Sequence, residues 1–253
     1  MNIHVVSTGL SRGKDLEALK RQGDFRKATH NMMLAWLSIE EALQPLAGRL
    51  AMDAMVLGSG FGELEVTRNF LKGLAESGLA RPLLFQNSLH NATLGFLAMK
   101  LALTGPSITV SNRCFTGENC LEAAMLLLQQ GQCRSCLVTG VDALIPELAP
   151  ALNAIYPVPV TLGEGAATLL LVNDAGQRQL GLPILATLHD VTYDWNATGQ
   201  ADAEIFSHGY YEADAIEILV ERLRAGTHLT GTTLGLAKPD GSRSIVHWSL
   251  GAG

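Results

Sequence analysis

The sequence predicts an α/β protein with a mostly parallel or mixed sheet, and three observations carry that expectation. Short apolar runs rich in β-branched residues alternate with segments of helical spacing along the chain. Residues 105–142, GPSITVSNRCFTGENCLEAAMLLLQQGQCRSCLVTGVD, read as strand, corner, helix and strand, a βαβ unit with Cys114 at its corner. With 253 residues, 47% of them apolar, the chain can bury one large core or two small ones.

Residues 3–8, IHVVST, form a strand ended by Gly9, and residues 11–31 are polar, charged and loop-rich. From 32 to 50 apolar residues recur at helical spacing (Met33, Leu34, Leu37, Leu43, Leu46), and Pro45 must bend or end that helix. Residues 54–57 read as a buried strand leading into Gly58-Ser59-Gly60-Phe61-Gly62-Glu63. A glycine loop between strand and helix invites a dinucleotide-binding reading, which fails in detail. Glu63 stands where a third glycine belongs, Glu65 follows, and carboxylates in the first helical turn would repel a pyrophosphate. The loop is read instead as a tight turn with close strand–helix packing.

A helix over 65–77 capped by Gly78 comes next, then an extended or loop segment at 82–87 and a second helix over 92–103. Asn91 is placed to cap that helix, with His90 beside it. In the central unit Ile108, Thr109 and Val110 make the first strand, the helix runs over about 118–130 and stops at Gly131, and 137–141 make the second strand. Residues 145–160 hold Pro146, Pro150, Pro157 and Pro159 and read as an irregular loop. A strong apolar strand at 167–172 is broken by Asn173-Asp174-Ala175-Gly176. Beyond it come strand-like runs at 184–191 and 244–248 and an amphipathic helix over 213–224. That helix carries Ile216, Leu219, Val220 and Leu223 on one face and ends at Gly226. The shift in composition divides the chain into residues 1–175 and 176–253, the second part packed on the same core.

Composition narrows the function classes. Net charge is −6 and no basic cluster is denser than Lys20-Arg21 or Arg26-Lys27, which excludes the basic stripe that nucleic acid requires. No run is long and apolar enough to span a membrane, and residues 1–13 lack a signal peptide's apolar core, so a cytoplasmic protein is expected. Only 17% of residues are charged and mean hydropathy is positive, which points to a face buried against a partner. Cys114, Cys120, Cys133 and Cys136 fall in one segment, which suits reduced thiols better than a disulfide framework.

CRSC at Cys133–Cys136 has no second ligand pair for zinc and follows a helix instead of starting one, so these read as buried structural thiols and no metal is expected. Cys114 is different. A thiol near a helix N-terminus feels the positive end of the helix dipole, which favours thiolate. Acyl chemistry at such a thiol also needs a base or proton shuttle and oxyanion donors. The seven histidines are scattered with no ligand or catalytic spacing, so the sequence offers a possible nucleophile without an assigned base.

At these residues the chain resembles the β-ketoacyl synthases of the thiolase-like fold. The GPSxTVxxxC run at residues 105–114 is similar to the strand and nucleophile corner of that family, and Gly131-Gln132-Cys133 and Gly140-Val141-Asp142 follow in order. VLGSGFGELEVTRNFL matches the family's glycine turn and helix, FQNSLHNATLGFLA its pocket-lining segment near the dimer seam, and Gly163-Glu164-Gly165-Ala166-Ala167 the start of a core strand. The resemblance covers residues 52–172. It implies a thiolase-like α/β fold in which residues 1–175 form the N-terminal half and the C-terminal half is shortened and diverged. It implies no cofactor.

The departures are as specific. Ser111-Asn112-Arg113-Cys114-Phe115-Thr116-Gly117 replaces a DTACSS-like segment, with bulky Arg113 and Phe115 where space for an acyl chain is normally left. The HGTGT-like and GHxxGAAG-like segments are absent, and His247 in VHWSLGAG lacks the flanking residues that would justify a role. The chain therefore resembles the short chain-length-factor subunits found in aryl polyene biosynthesis. That resemblance implies a full-length β-ketoacyl synthase as partner in a heterodimer, with acyl carrier protein reached through it. It also implies a seam and acyl channel formed by Asn87, His90, Asn91, Ser107, Ile108, Thr109, Val110, Ser111, Asn112 and Phe115. Cys114 stands at the family's nucleophile position. The alternative is an acyltransferase or condensing enzyme in which Cys114 accepts the acyl group.

Overall fold

The computed structural model describes residues 1–14, 16–46, 52–195, 209–225 and 233–251. Eight strands form one mixed sheet in the order β3-β2-β4-β5-β1-β6-β8-β7. They are β1 (Ile3–Ser11), β2 (Ala54–Gly58), β3 (Ser107–Val110), β4 (Ser135–Asp142), β5 (Gly165–Asn173), β6 (Ala186–Asp194), β7 (Thr233–Ala237) and β8 (Arg243–Leu250). β2 runs parallel to β3 and β4, and every other pairing is antiparallel. The helices are α1 (Leu16–Lys20), α2 (His30–Leu43), α3 (Leu64–Ser77), α4 (Pro82–Asn87), α5 (Ala92–Lys100), α6 (Thr116–Gln129), α7 (Ala149–Asn153), α8 (Asp174–Leu180) and α9 (Asp214–Ala225).

The central strands are buried on both faces, which is why they read as continuous apolar runs. Their side chains still alternate. Ala54 and Val56 of β2, with Leu169 and Leu171 of β5, pack under α6 and α9 against Cys120, Leu121, Leu128, Ile216 and Leu219. Met55 and Leu57, with Leu170 and Val172, face Leu34 and Ile39 of α2 and Leu97 of α5. The α2 axis comes so near β1 that a β-carbon at Gly9 would stand 1.8 Å from the Ser38 carbonyl oxygen.

Local signals set most boundaries. Thr29 caps α2 by accepting the Met32 N–H at 3.1 Å, and the helix ends at Leu43, before Pro45. Gly78 and Gly131 take positive φ (65° and 68°) after α3 and α6.

Several expectations need correction. Residues 82–87 are helical, not extended, because Pro82 stands in the first turn, where its missing N–H removes no hydrogen bond. Asn91 does not cap α5: its side chain makes no capping bond. Asn173, read only as a strand breaker, instead caps α8, accepting from the Ala175 and Gly176 N–H groups at 3.1 and 3.0 Å. β1 continues past Gly9 to Ser11, and the loop-rich segments at 11–31 and 145–160 contain α1 and α7. β7 was not anticipated. Gly226 and residues 47–50 lie outside the described residues.

Gly9→Ala should lower stability at the upper end of the ~1–3 kcal/mol typical of overpacking, since the obstructing atom is backbone. Chemical denaturation checks this, and an unchanged midpoint would contradict the close β1–α2 approach.

Candidate functional site

The corner after β3 carries Ser111, Asn112 and Arg113 into α6. Arg113 takes φ 48°, a left-handed conformation that side chains other than glycine seldom adopt. Thr116 holds it there: its hydroxyl accepts from the Asn112 N–H at 2.9 Å and donates to the Arg113 carbonyl at 2.6 Å. The bend turns Cys114 and Phe115 inward, leaving them 7% and 3% exposed.

What Cys114 meets there is a carboxylate. Its thiol donates to Asp240 Oδ2 at 3.6 Å. Asp240 sits in the turn between β7 and β8, whose Lys238-Pro239-Asp240-Gly241-Ser242 sequence has the residue types that fold such a reversal. The Lys238 N–H donates to the Ser242 carbonyl at 2.9 Å, the Gly241 N–H donates to the Lys238 carbonyl at 3.0 Å, and Gly241 takes φ 88°. The Ser242 N–H and hydroxyl both donate to Asp240 Oδ1, at 3.0 and 2.5 Å. Burial, and then the Asp240 charge, push the Cys114 thiol up to about 12, with Lys238 opposing. The thiolate expected from the helix dipole is therefore not favoured, because desolvation and a neighbouring anion outweigh the helix terminus.

Beneath the thiol lies a buried ion pair. Lys238 Nζ stands 2.5 Å from Glu118 Oε1 in the first turn of α6, and the Ser244 hydroxyl of β8 donates to the same oxygen at 2.5 Å. Burial pulls the Lys238 ammonium down, but Glu118 and then Asp214 more than offset it, and the net direction is up. Glu118 Oε2 has no hydrogen-bond partner among the described residues.

Aromatic rings close the approach. Phe115 meets Tyr193 and Trp195 with ring centroids 5.2 and 4.6 Å apart, and Lys238 Nζ lies 5.6 Å from its centroid. The Asn119 amide, in turn, donates to the Tyr193 hydroxyl at 2.8 Å. Within electrostatic reach of Cys114, Tyr156 donates to Glu212 at 2.8 Å and meets Tyr210 edge-on at 5.5 Å.

The GSGFG loop and the GVD segment are explained by one another. Asp142 accepts from the Ser59 hydroxyl (2.6 Å), the Phe61 N–H (2.9 Å) and the Gly60 N–H (3.2 Å), so the loop's donors point at a side chain of this chain. His90 belongs to the same loop: its Nε2 lies 3.1 Å from the Ser59 carbonyl, and a β-carbon at Gly62 would meet its ring at 2.6 Å.

The other described histidines are also engaged away from Cys114: His4 with Asp174, His30 with Glu164, His189 with Ser249 and His247 with Thr192. His208 and His228 lie outside the described residues. Cys133 and Cys136 are buried, and a thiol–thiol hydrogen bond lowers the first and raises the second. Among the described residues no His, Cys, Asp and Glu group is arranged to hold a metal ion, and no helix is long and apolar enough to cross a membrane.

The residues singled out in the sequence fall in four places, with His90 against the glycine loop. Cys114, Phe115, Ser111 and Asn112 form the corner. Ser107, Ile108, Thr109 and Val110 form β3 at the sheet edge, with Ser107 and Ile108 exposed. Asn87 and Asn91 line a cleft of about 520 Å³ with Leu83, Leu89, Phe96 and Met99, to which Cys114 does not contribute. Glu118, Lys238, Asp240, Tyr193 and Trp195 were missed. The PDG turn between two alternating runs is the one signal that would have placed Asp240 at a hairpin tip.

Burial pushes Asp142 and Glu63 each up to about 7. Such a group holds its proton more tightly folded than unfolded. The stability it lends is full below the ordinary carboxylate range and is lost as pH rises through about 7. The melting temperature should therefore fall between about pH 5 and pH 8, and Asp142→Asn should flatten the fall; a rising profile would contradict it.

Comparison with known proteins bears on the fold. Residues 33–152 match the family model of the β-ketoacyl synthase N-terminal domain. The chloroplastic 3-oxoacyl-(acyl-carrier-protein) synthase I of Arabidopsis thaliana is 26% identical over 154 residues, 52% of this chain and 33% of that protein. The chain thus matches about a third of the length of that curated relative. The solved ishigamide ketosynthase/chain length factor superposes with a TM-score of 0.80 at 14% identity, covering 99% of each chain. The ketosynthase (ApeO) in complex with its chain length factor (ApeC) from Xenorhabdus doucetiae gives 0.66 at 18% identity, covering 98% of this chain and 99% of that one. Residues 33–152 are thus similar to a β-ketoacyl synthase N-terminal domain, and the chain shares its fold with these solved ketosynthase/chain length factor structures.

Proposed function

We propose that this chain is a non-catalytic, chain-length-factor-like subunit of a heterodimeric β-ketoacyl-ACP synthase, shaping the acyl pocket during polyketide, aryl polyene or fatty-acid-type elongation. The observation that carries this reading is the partner of Cys114. A condensing cysteine needs a group that takes its proton and donors for the oxyanion. Here the thiol donates to Asp240 and the described histidines are engaged elsewhere.

The surface supports a partner. β3 is a sheet edge, and an edge strand presents unpaired main-chain groups to which another chain can add. Ile108 on that edge and Leu83, Phe85, Leu89 and Met99 on α4, α5 and the turn between them are exposed apolar side chains. The partner is a full-length β-ketoacyl synthase that supplies the working cysteine and histidines and through which acyl carrier protein is reached. Phe115, Tyr193 and Trp195 form a wall at the corner that limits how far an acyl chain extends.

Co-expression with a full-length synthase should give a stable heterodimer burying well over about 1,000 Å², and intact mass after incubation with acyl-ACP should show no adduct on this chain. A monomer that ignores the synthase in gel filtration would remove the reading. An acyl adduct lost in Cys114→Ala would favour the acyltransferase alternative.

A further inference from the structure

The turn that carries Asp240 is built to hold one side chain in one place. Asp240 Oδ1 takes both donors of Ser242, which leaves Oδ2 directed at the thiol. Two main-chain bonds close the turn, and Gly241 supplies the positive φ it requires. The carboxylate is thus fixed before the thiol meets it.

We propose that Asp240 is a positioning residue that locks Cys114 as a neutral thiol, so that the corner cannot attack a thioester. The proposal rests on the non-catalytic reading above and names the residue that enforces it. Attack on a thioester requires the Cys114 S–H bond to break, its proton to leave, and the sulfur lone pair to form a new S–C bond as the carrier thiolate departs. An imidazole at the position of Asp240 would take that proton and become a cation beside the sulfur. A carboxylate instead accepts a hydrogen bond from the neutral thiol and sets a like charge against the thiolate.

The other groups facing Cys114 do not reverse this. Glu118 on α6 adds negative charge, and the buried phenols of Tyr156 and Tyr210 carry none. Lys238, at the end of β7, favours the thiolate, but its ammonium is held on Glu118. Burial acts in the same direction as Asp240 and is the larger influence, so removing the carboxylate should loosen the lock without abolishing it.

The full chain, labelled with 13Cβ-cysteine, reports ionisation directly by NMR, with Cys114→Ser assigning the signal. In the wild type the Cys114 resonance should stay in its thiol position to about pH 10.5, in keeping with a value pushed up to about 12. Asp240→Asn should move the midpoint down by at least about one pH unit, about tenfold more thiolate at a given pH, and Asp240→Ser, which keeps a small polar residue in the turn, should do the same. A wild-type midpoint at or below about 9, or variant curves that superimpose on the wild type, would overturn the lock. Gel filtration with the synthase is read separately. Loss of that complex with the titration difference intact overturns the subunit reading alone, whereas superimposed curves with the complex intact overturn the lock alone.

Discussion

The ion pair between Lys238 and Glu118 ties the β7–β8 hairpin to the start of α6 at the Cys114 corner. Both side chains are buried, and their charges are tolerable there because each has the other, Ser244 donates to Glu118 and Asp214 adds a second negative charge toward Lys238. Glu118 is fixed by the first turn of α6, so the pair sets where the β7–β8 turn lands on the helix. Asp240 follows two residues after Lys238 and is thereby delivered to Cys114. Removing either charge would leave the other buried and unpaired, a loss of about 3–5 kcal/mol by the usual behaviour of such pairs. The placement of Asp240 at the corner therefore follows from an electrostatic contact one layer below it.

The sheet explains why the corner exists at all. β2 and β4 are parallel neighbours toward one side, with β3 outside them at the edge, and the turn from β3 into α6 has to cross back over the sheet. Thr116 and the left-handed Arg113 make that turn within a few residues. Asp142, at the end of β4, holds the glycine loop that follows β2, so the neighbouring strand ends are fixed by one carboxylate. A scaffold shared with ketosynthase structures thus carries Cys114 at the turn into α6, where the β7–β8 hairpin sets Asp240 against its thiol.

Much of the fold was legible because its signals are local. The apolar runs of β2, β4 and β5, the caps at Gly78 and Gly131, and the amphipathic face of α9 follow from periodicity and backbone freedom. α4 was read as extended or loop, yet Pro82 stands in the first turn, where a helix accepts it. Asn91 and Asn173 show that tertiary context decides capping: Asn91 makes no capping bond, whereas Asn173 caps α8 and also reaches the Leu128 and Cys133 carbonyls, which hold its side chain in place. The site was half legible. Cys114 and the crowding by Phe115 could be read from position, but Asp240 lies 126 residues away, and no periodicity links a thiol to a distant carboxylate.

An edge strand, a covered thiol and a ring of aromatic side chains are the features on which the proposed subunit role rests. The most direct test is hydrogen–deuterium exchange on the full chain, alone and with a full-length β-ketoacyl synthase. Within β3, the outward-facing amides should exchange freely in the isolated chain and slow by at least about tenfold in the complex, as an edge does when a second strand adds to it. Exchange in β3 that is the same with and without the synthase would contradict the account.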